Sequence, residues 1–295
     1  MARLTAKDFQ PEVLQLFDRY VNGDISRRGF LDRAASLAGS AAAAAGLLAA
    51  LNPKFAEAQQ VAPGDARLQT RYQVVDAPEG NGTVRGYLAK PAGVSGKLPA
   101  VLVIHENRGL NPHIEDITRR LALDGFLAFA PDALYALGGY PGDEDKAREL
   151  FSKLDAGKTL NDFVAAARAL LTWPESSGKV GAVGFCYGGG VVNILATRIP
   201  ELAVGVAFYG SQPPLQDVPR IKAPLLIHYA GVDERINAGW PKFEVALKAA
   251  AIPYEAFVYA GVQHGFNNDM TPRFDEPAAK LAWLRTTTFL KKNLA

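Results

Sequence analysis

The segment that most narrows the possible folds is Val180-Gly181-Ala182-Val183-Gly184-Phe185, followed at once by Cys186-Tyr187-Gly188-Gly189-Gly190-Val191. The first half is apolar at successive positions, as a strand buried on both faces must be. The second half opens a helical pattern with no room for a loop between. A chain turns so sharply only through a strained backbone at the corner residue, and side chains two before and two after it would collide across the turn. Gly184 and Gly188 occupy those positions. The corner lifts the Cys186 sulfur above the sheet and aims the free N–H groups of the new helix at it, which favours negative charge on reacting atoms. Cys186 therefore reads as a nucleophile; a small buried core residue is the alternative.

Around this corner, strand and helix patterns alternate. Strands are expected at 69–75, 83–89, 100–105, 127–130, 180–185, 203–209, 224–228 and 254–259. Helices are expected at 111–124, 143–154, 160–172, 189–198, 238–251 and 276–292. The first two strands flank Pro78-Glu79-Gly80-Asn81-Gly82, a turn that makes them an antiparallel hairpin. The remaining alternation predicts an α/β fold: a mostly parallel sheet with helices on both faces, forming one domain over residues 68–295.

A nucleophile of this kind needs a base and a group to orient it, in the order nucleophile, acid, histidine. Asp233 follows the apolar run Leu225-Leu226-Ile227-His228 through a short Gly-containing loop, and His264 follows the next strand in the same manner. His264 is the only histidine downstream of Asp233. Taken singly, Asp233 could be a helix cap and His264 a loop residue. Taken in order, at strand ends, they predict a Cys186-Asp233-His264 triad.

Composition limits the partners. One cysteine excludes an intramolecular disulfide and a cysteine-rich metal site, and four scattered histidines show no ligand spacing, so neither metal nor cofactor is expected. A formal charge of +2 without a basic stripe gives no reason to expect nucleic acid.

The front of the chain has a different character. Ser26-Arg27-Arg28-Gly29-Phe30-Leu31 precedes an Ala-rich apolar stretch from Ala34 to Leu51, then Asn52-Pro53 and the small-x-small sequence Ala56-Glu57-Ala58. That order resembles a twin-arginine export signal. It predicts a removable segment at 1–58, a linker at 59–67, the twin-arginine export machinery as a partner, only transient membrane contact, and a periplasmic or secreted product. A retained membrane anchor is the competing reading. Ahead of the arginines, Val13, Leu14, Phe17, Tyr20 and Val21 share one face of an expected amphipathic helix over 11–21. It reads either as a solvated leader or as a docking element for an export factor.

From about residue 70 onward the chain resembles the dienelactone hydrolase family of α/β-hydrolases. The resemblance rests on Gly-Phe-Cys-Tyr-Gly-Gly-Gly at 184–190, Gly-Val-Asp at 231–233, Gly-Val-Gln-His-Gly-Phe at 261–266 and His-Glu-Asn-Arg-Gly-Leu-Asn at 105–111. It implies an α/β-hydrolase fold and cleavage of a small-molecule ester or lactone. It further implies that Glu106 controls the cysteine proton and that the backbone N–H groups of Tyr187 and Asn107 form the oxyanion hole. The family arginine four residues beyond the histidine is Asn268 here, so dienelactone itself is not the expected substrate. Arg108 is a candidate replacement cation. The span 133–145, with Tyr135, is expected to overhang the pocket. A non-catalytic periplasmic binder and a thiol redox sensor are the rival functions; the complete triad argues against the first, and the lack of a second, resolving cysteine against the other.

Overall fold

The computed structural model describes residues 4–53 and 59–295; the expected cleavage site at 56–58 lies outside them. Eight strands form one sheet: β1 (Leu68–Ala77), β2 (Gly82–Pro91), β3 (Leu98–Ile104), β4 (Leu127–Pro131), β5 (Ser176–Phe185), β6 (Val204–Phe208), β7 (Leu225–Val232) and β8 (Tyr254–Gln263). Their order across the sheet is β1-β2-β4-β3-β5-β6-β7-β8. β1 and β2 pair antiparallel through the expected turn, and β2 also runs antiparallel to β4. The other pairings are parallel.

Alternation along β3 explains why helices must cover both faces. Leu102 and Ile104 point into one apolar cluster, Val101 and Val103 into the other, and all four are fully buried. Helices α6 (Ala156–Thr172), α7 (Tyr187–Arg198) and α9 (Trp240–Ala249) close the first cluster with side chains such as Phe163, Val192 and Phe243. Helices α4 (Pro112–Leu123) and α10 (Glu276–Leu294) close the second with Ile117, Leu121 and Leu290. The expected helix over 238–251 is preceded by a separate single turn, α8 (Glu234–Asn237), which Asp233 caps. A second short helix, α5 (Glu144–Phe151), stands between β4 and α6.

Among its described residues the N-terminal region holds three α-helices: α1 (Pro11–Asn22), α2 (Arg27–Ala38) and α3 (Ala41–Leu51). The expected helix over 11–21 is therefore present, with Val13, Leu14, Phe17 and Tyr20 buried. The apolar stretch is not one rod. Gly39, at φ +81°, ends α2 in the left-handed conformation, and Ser40 caps α3, so the two helices meet at a 114° bend. Among the described residues no single helix is long and apolar enough to cross a membrane. α1, α2 and α3 share a small core of their own, with Phe17, Tyr20 and Phe30 stacked at its centre and Ala44, Leu48 and Leu51 below.

The corner between β5 and α7 has the predicted geometry. Cys186 sits at φ +55°, ψ −112°, which a non-glycine residue adopts only when its surroundings compel it. A Cβ on Gly184 would lie 2.1 Å from the Gly188 carbonyl oxygen, and one on Gly188 would lie 2.2 Å from that of Ile104. Both obstacles are backbone and cannot rotate away. Gly188→Ala is expected to destabilise the fold by about 2–3 kcal/mol, read as a fall in Tm of several degrees; an unchanged Tm would show that the corner has slack.

Candidate active site

The C-terminal ends of five adjacent strands converge on one crevice. β3 leads into Glu106 and Asn107, β5 into Cys186, β6 into Tyr209, β7 into Asp233 and β8 into His264. The crevice lies where the chain order reverses, between β3 and β5, which is where open parallel sheets place their ligands.

Asp233 and His264 are joined directly. The imidazole Nδ1–H donates to Asp233 Oδ2 at 2.6 Å, and both side chains are buried. Asp233 Oδ1 accepts from the Ile236 N–H at 3.4 Å, so the carboxylate orients the ring and caps α8 at once. The other ring nitrogen, Nε2, is buried. Cys186 lies close enough to govern its charge. Burial by itself lowers the His264 pKa, but the Cys186 sulfur and the Asp233 carboxylate outweigh it and hold the ring well above its ordinary value. Cys186 remains partly accessible.

The β3 loop is held by a second histidine that takes no part in this pair. His105 is fully buried, its Nε2 accepting from the Ala133 N–H at 3.1 Å and its Nδ1–H donating to the Glu106 carbonyl at 2.5 Å. Burial lowers its pKa, which suits that neutral tautomer. Asp132 secures the same loop from β4: Oδ1 accepts from the Leu110 and Leu134 N–H groups at 3.1 and 3.0 Å. The Glu106 carboxylate is fixed by Asn268, whose amide donates to it at 2.9 Å while its own oxygen accepts from the Met270 N–H at 3.1 Å. Asn268, named as a candidate substrate contact, thus also supports Glu106 from the crevice lining.

The Tyr187 ring packs against Phe151, centroids 4.9 Å apart, which turns the side chain away from the crevice. The backbone N–H groups of Tyr187 and Asn107 donate to no described residue. Arg108 is buried, in contact with the Asn107 carbonyl and side-chain oxygens at 3.0 and 2.8 Å and 3.7 Å from Glu144. Of the span 133–145, Glu144 and Asp145 reach the mouth of the crevice, whereas Tyr135 packs over the Arg85 guanidinium at 5.3 Å and is not part of its lining.

Two residues of the site escaped the sequence reading. Tyr209, at φ +38°, is fully buried with its ring 4.9 Å from that of His264. Burial, then the nearby Glu106 and Cys186 charges, raise its pKa well above normal. Arg273 lies against Gly265 and beneath α1. The Tyr209-Gly210 pair at a strand end was a usable signal for the first; nothing in the sequence singled out the second.

A parallel sheet wound in this way, with a cysteine on a strained strand-to-helix corner and an acid and a histidine at later strand ends, is an α/β-hydrolase. Residues 84–294 match the sequence model of the dienelactone hydrolase family, and the chain belongs to that family. A second model, described as YqhI-like, matches residues 1–39. A "Putative carboxymethylenebutenolidase" of Salmonella typhi is 33% identical over 227 residues, covering 72% of this chain and 84% of its own. A "Putative hydrolase fragment" of Escherichia coli (strain K12) is 54% identical over 105 residues, covering 36% of this chain and 90% of its own. The crystal structure of a "Putative Dienelactone Hydrolase" from Klebsiella pneumoniae superposes with a TM-score of 0.66 at 28% identity, covering 76% of this chain and 99% of the other.

Because the folded His264 value lies above that of a free imidazole, about 6.5, the stabilisation from its protonated ring is complete below that pH. It is lost as the pH rises through the raised value. An NMR titration is expected to show His264 still charged at pH 7.5, with the midpoint lowered in Asp233→Asn. A wild-type midpoint at or below that of free imidazole contradicts the arrangement.

Proposed function

We propose that this hydrolase cleaves a carboxylic ester or lactone, with Cys186 as nucleophile and Asp233 and His264 completing a triad. The observation that carries the reading is the placement of His264, bonded to Asp233 through Nδ1 and close enough to Cys186 for that residue to raise its pKa. The pair rests with the cysteine proton on His264, and the Sγ thiolate attacks the carbonyl carbon, forming a C–S bond. The carbonyl oxygen becomes an oxyanion held by the N–H groups of Tyr187 and Asn107. The intermediate collapses by breaking the C–O bond, and the leaving alkoxide takes the proton from His264. Water, deprotonated by His264, then attacks the thioester and releases the acid, and the proton stays on His264 beside the freed thiolate. Glu106, steadied by Asn268, is assigned the family's part of helping to control that proton.

Cys186→Ala is expected to lower kcat for a p-nitrophenyl ester by on the order of 10³-fold or more, with Tm little changed, and iodoacetamide should abolish wild-type turnover. Turnover that survives both treatments rules out the sulfur as nucleophile, and turnover absent from the wild type favours a binder.

We further propose that the chain is exported by the twin-arginine route, on the strength of Arg27 and Arg28, both exposed in the first turn of α2 ahead of the apolar helices. Replacing both by lysine is expected to keep the protein in the cytoplasm in a cell-fractionation assay. Unchanged export of that variant counts against the route.

A further inference from the structure

α1 lies across the mouth of the crevice, and its C-terminal end is the part that faces inward. The Val21 carbonyl accepts from the Asn107 side chain at 2.8 Å and lies 3.4 Å from Arg108, while the Tyr20 carbonyl accepts from Arg148 at 3.1 Å. Both carbonyls belong to the last turn of α1, where the negative end of its dipole attracts cations; that of Tyr20 also accepts from the Gly23 N–H at 3.2 Å. Its aromatic face also meets cations: the same Arg148 lies over Tyr20 at 4.0 Å, and Arg273 lies over Phe17 at 5.3 Å. Asp145 binds both the Tyr20 hydroxyl and Arg27, and Arg273 pairs with Asp18 at 3.4 Å.

With α1 seated, the space between Phe17, Tyr20, Glu106, Asn107 and Asn268 leaves about 30 Å³ for water-sized occupants. That is room for about one or two waters, whereas small-molecule sites run to about 300 Å³ and more. The attachment is also separable. The apolar cluster of α1–α3 is distinct from the two clusters that flank the sheet, and the hydrogen bonds and ion pairs that hold it to the body are polar contacts at its edge. The two acidic partners in these contacts, Asp145 and Asp18, are partly exposed, so water can take their place.

We infer that α1–α3 form a built-in cap that narrows the catalytic mouth, so that Cys186, partly accessible with α1 docked, receives a molecule of substrate size only when α1 withdraws. This rests on the reading of Cys186, Glu106 and Asn107 as the catalytic centre. The cap narrows what the docked enzyme admits, and release by cleavage or by a competing partner for α1 would switch the site open.

The test uses the full chain and the double variant Asp18→Ala/Asp145→Ala, which removes rim contacts outside both the core and the catalytic set. Alkylation of Cys186, the only thiol, by iodoacetamide reports access without requiring turnover. It is expected to accelerate about fivefold as the open population grows, with kcat/KM rising in parallel and more for a p-nitrophenyl decanoate than for the acetate. Amide exchange over residues 11–22 reports whether α1 has loosened; should it stay protected, Tyr20→Ala, which deletes the ring between Arg148 and Asp145, is read in the same way. Faster exchange with unchanged alkylation and turnover overturns the cap. Faster alkylation of a protein that hydrolyses no ester upholds the cap and overturns the catalytic reading instead.

Discussion

The rest of the site depends on one backbone conformation, that of Cys186. Its positive φ is held because β5 and α7 are each locked by packing on both sides, and because the two flanking glycines let the strand ends approach within carbonyl contact. The strain is supported by the sheet core and not by the sulfur's own contacts. Cysteine gains a fixed position from it, and the neighbouring strands need only deliver their partners to that point.

Delivery is the work of short polar links at the strand ends. His105 joins β3 to β4, Asp132 joins the β3 loop to the segment after β4, and Asn268 joins the loop after β8 back to Glu106. Each link spans two strands or loops, so a disturbance in one strand end is shared with its neighbours. The two histidines at strand ends are driven in opposite directions. Burial leaves His105 neutral, whereas the charges beside His264 reverse the effect of burial. The same side chain is held neutral as a strap in one place and favoured in its charged form in the other, and the surrounding charge makes the difference.

The body of the fold was legible in the sequence because apolar runs at strand spacing alternate with helical patterns. β3 and β5 could be placed to within a few residues from burial on both faces alone. Boundaries slipped where a cap decides them: Asp155 starts α6 a turn earlier than the apolar pattern suggests, and Asp233 splits off α8. The three catalytic candidates were legible from order and strand-end position. Asn268 was not, since its use is set by a contact with a residue 162 positions away. Tyr135 illustrates the converse, an aromatic in the right span whose ring is taken up by Arg85. The amphipathic face of α1 was visible, but its destination was not: a hydrophobic stripe announces that something will be covered without naming what covers it.

The bend at Gly39 has a consequence for how the first fifty residues meet lipid. Each of α2 and α3 is too short by itself to cross a bilayer, and together they satisfy the length and composition of a span only if the bend is drawn out. Straightening them would pull Leu48 and Leu51 away from Phe30 and dismantle the small core that also supports Tyr20. Lipid and enzyme body therefore compete for the same side chains, and a chain whose front has been taken up by a membrane is, by that act, one whose Tyr20 has left Arg148.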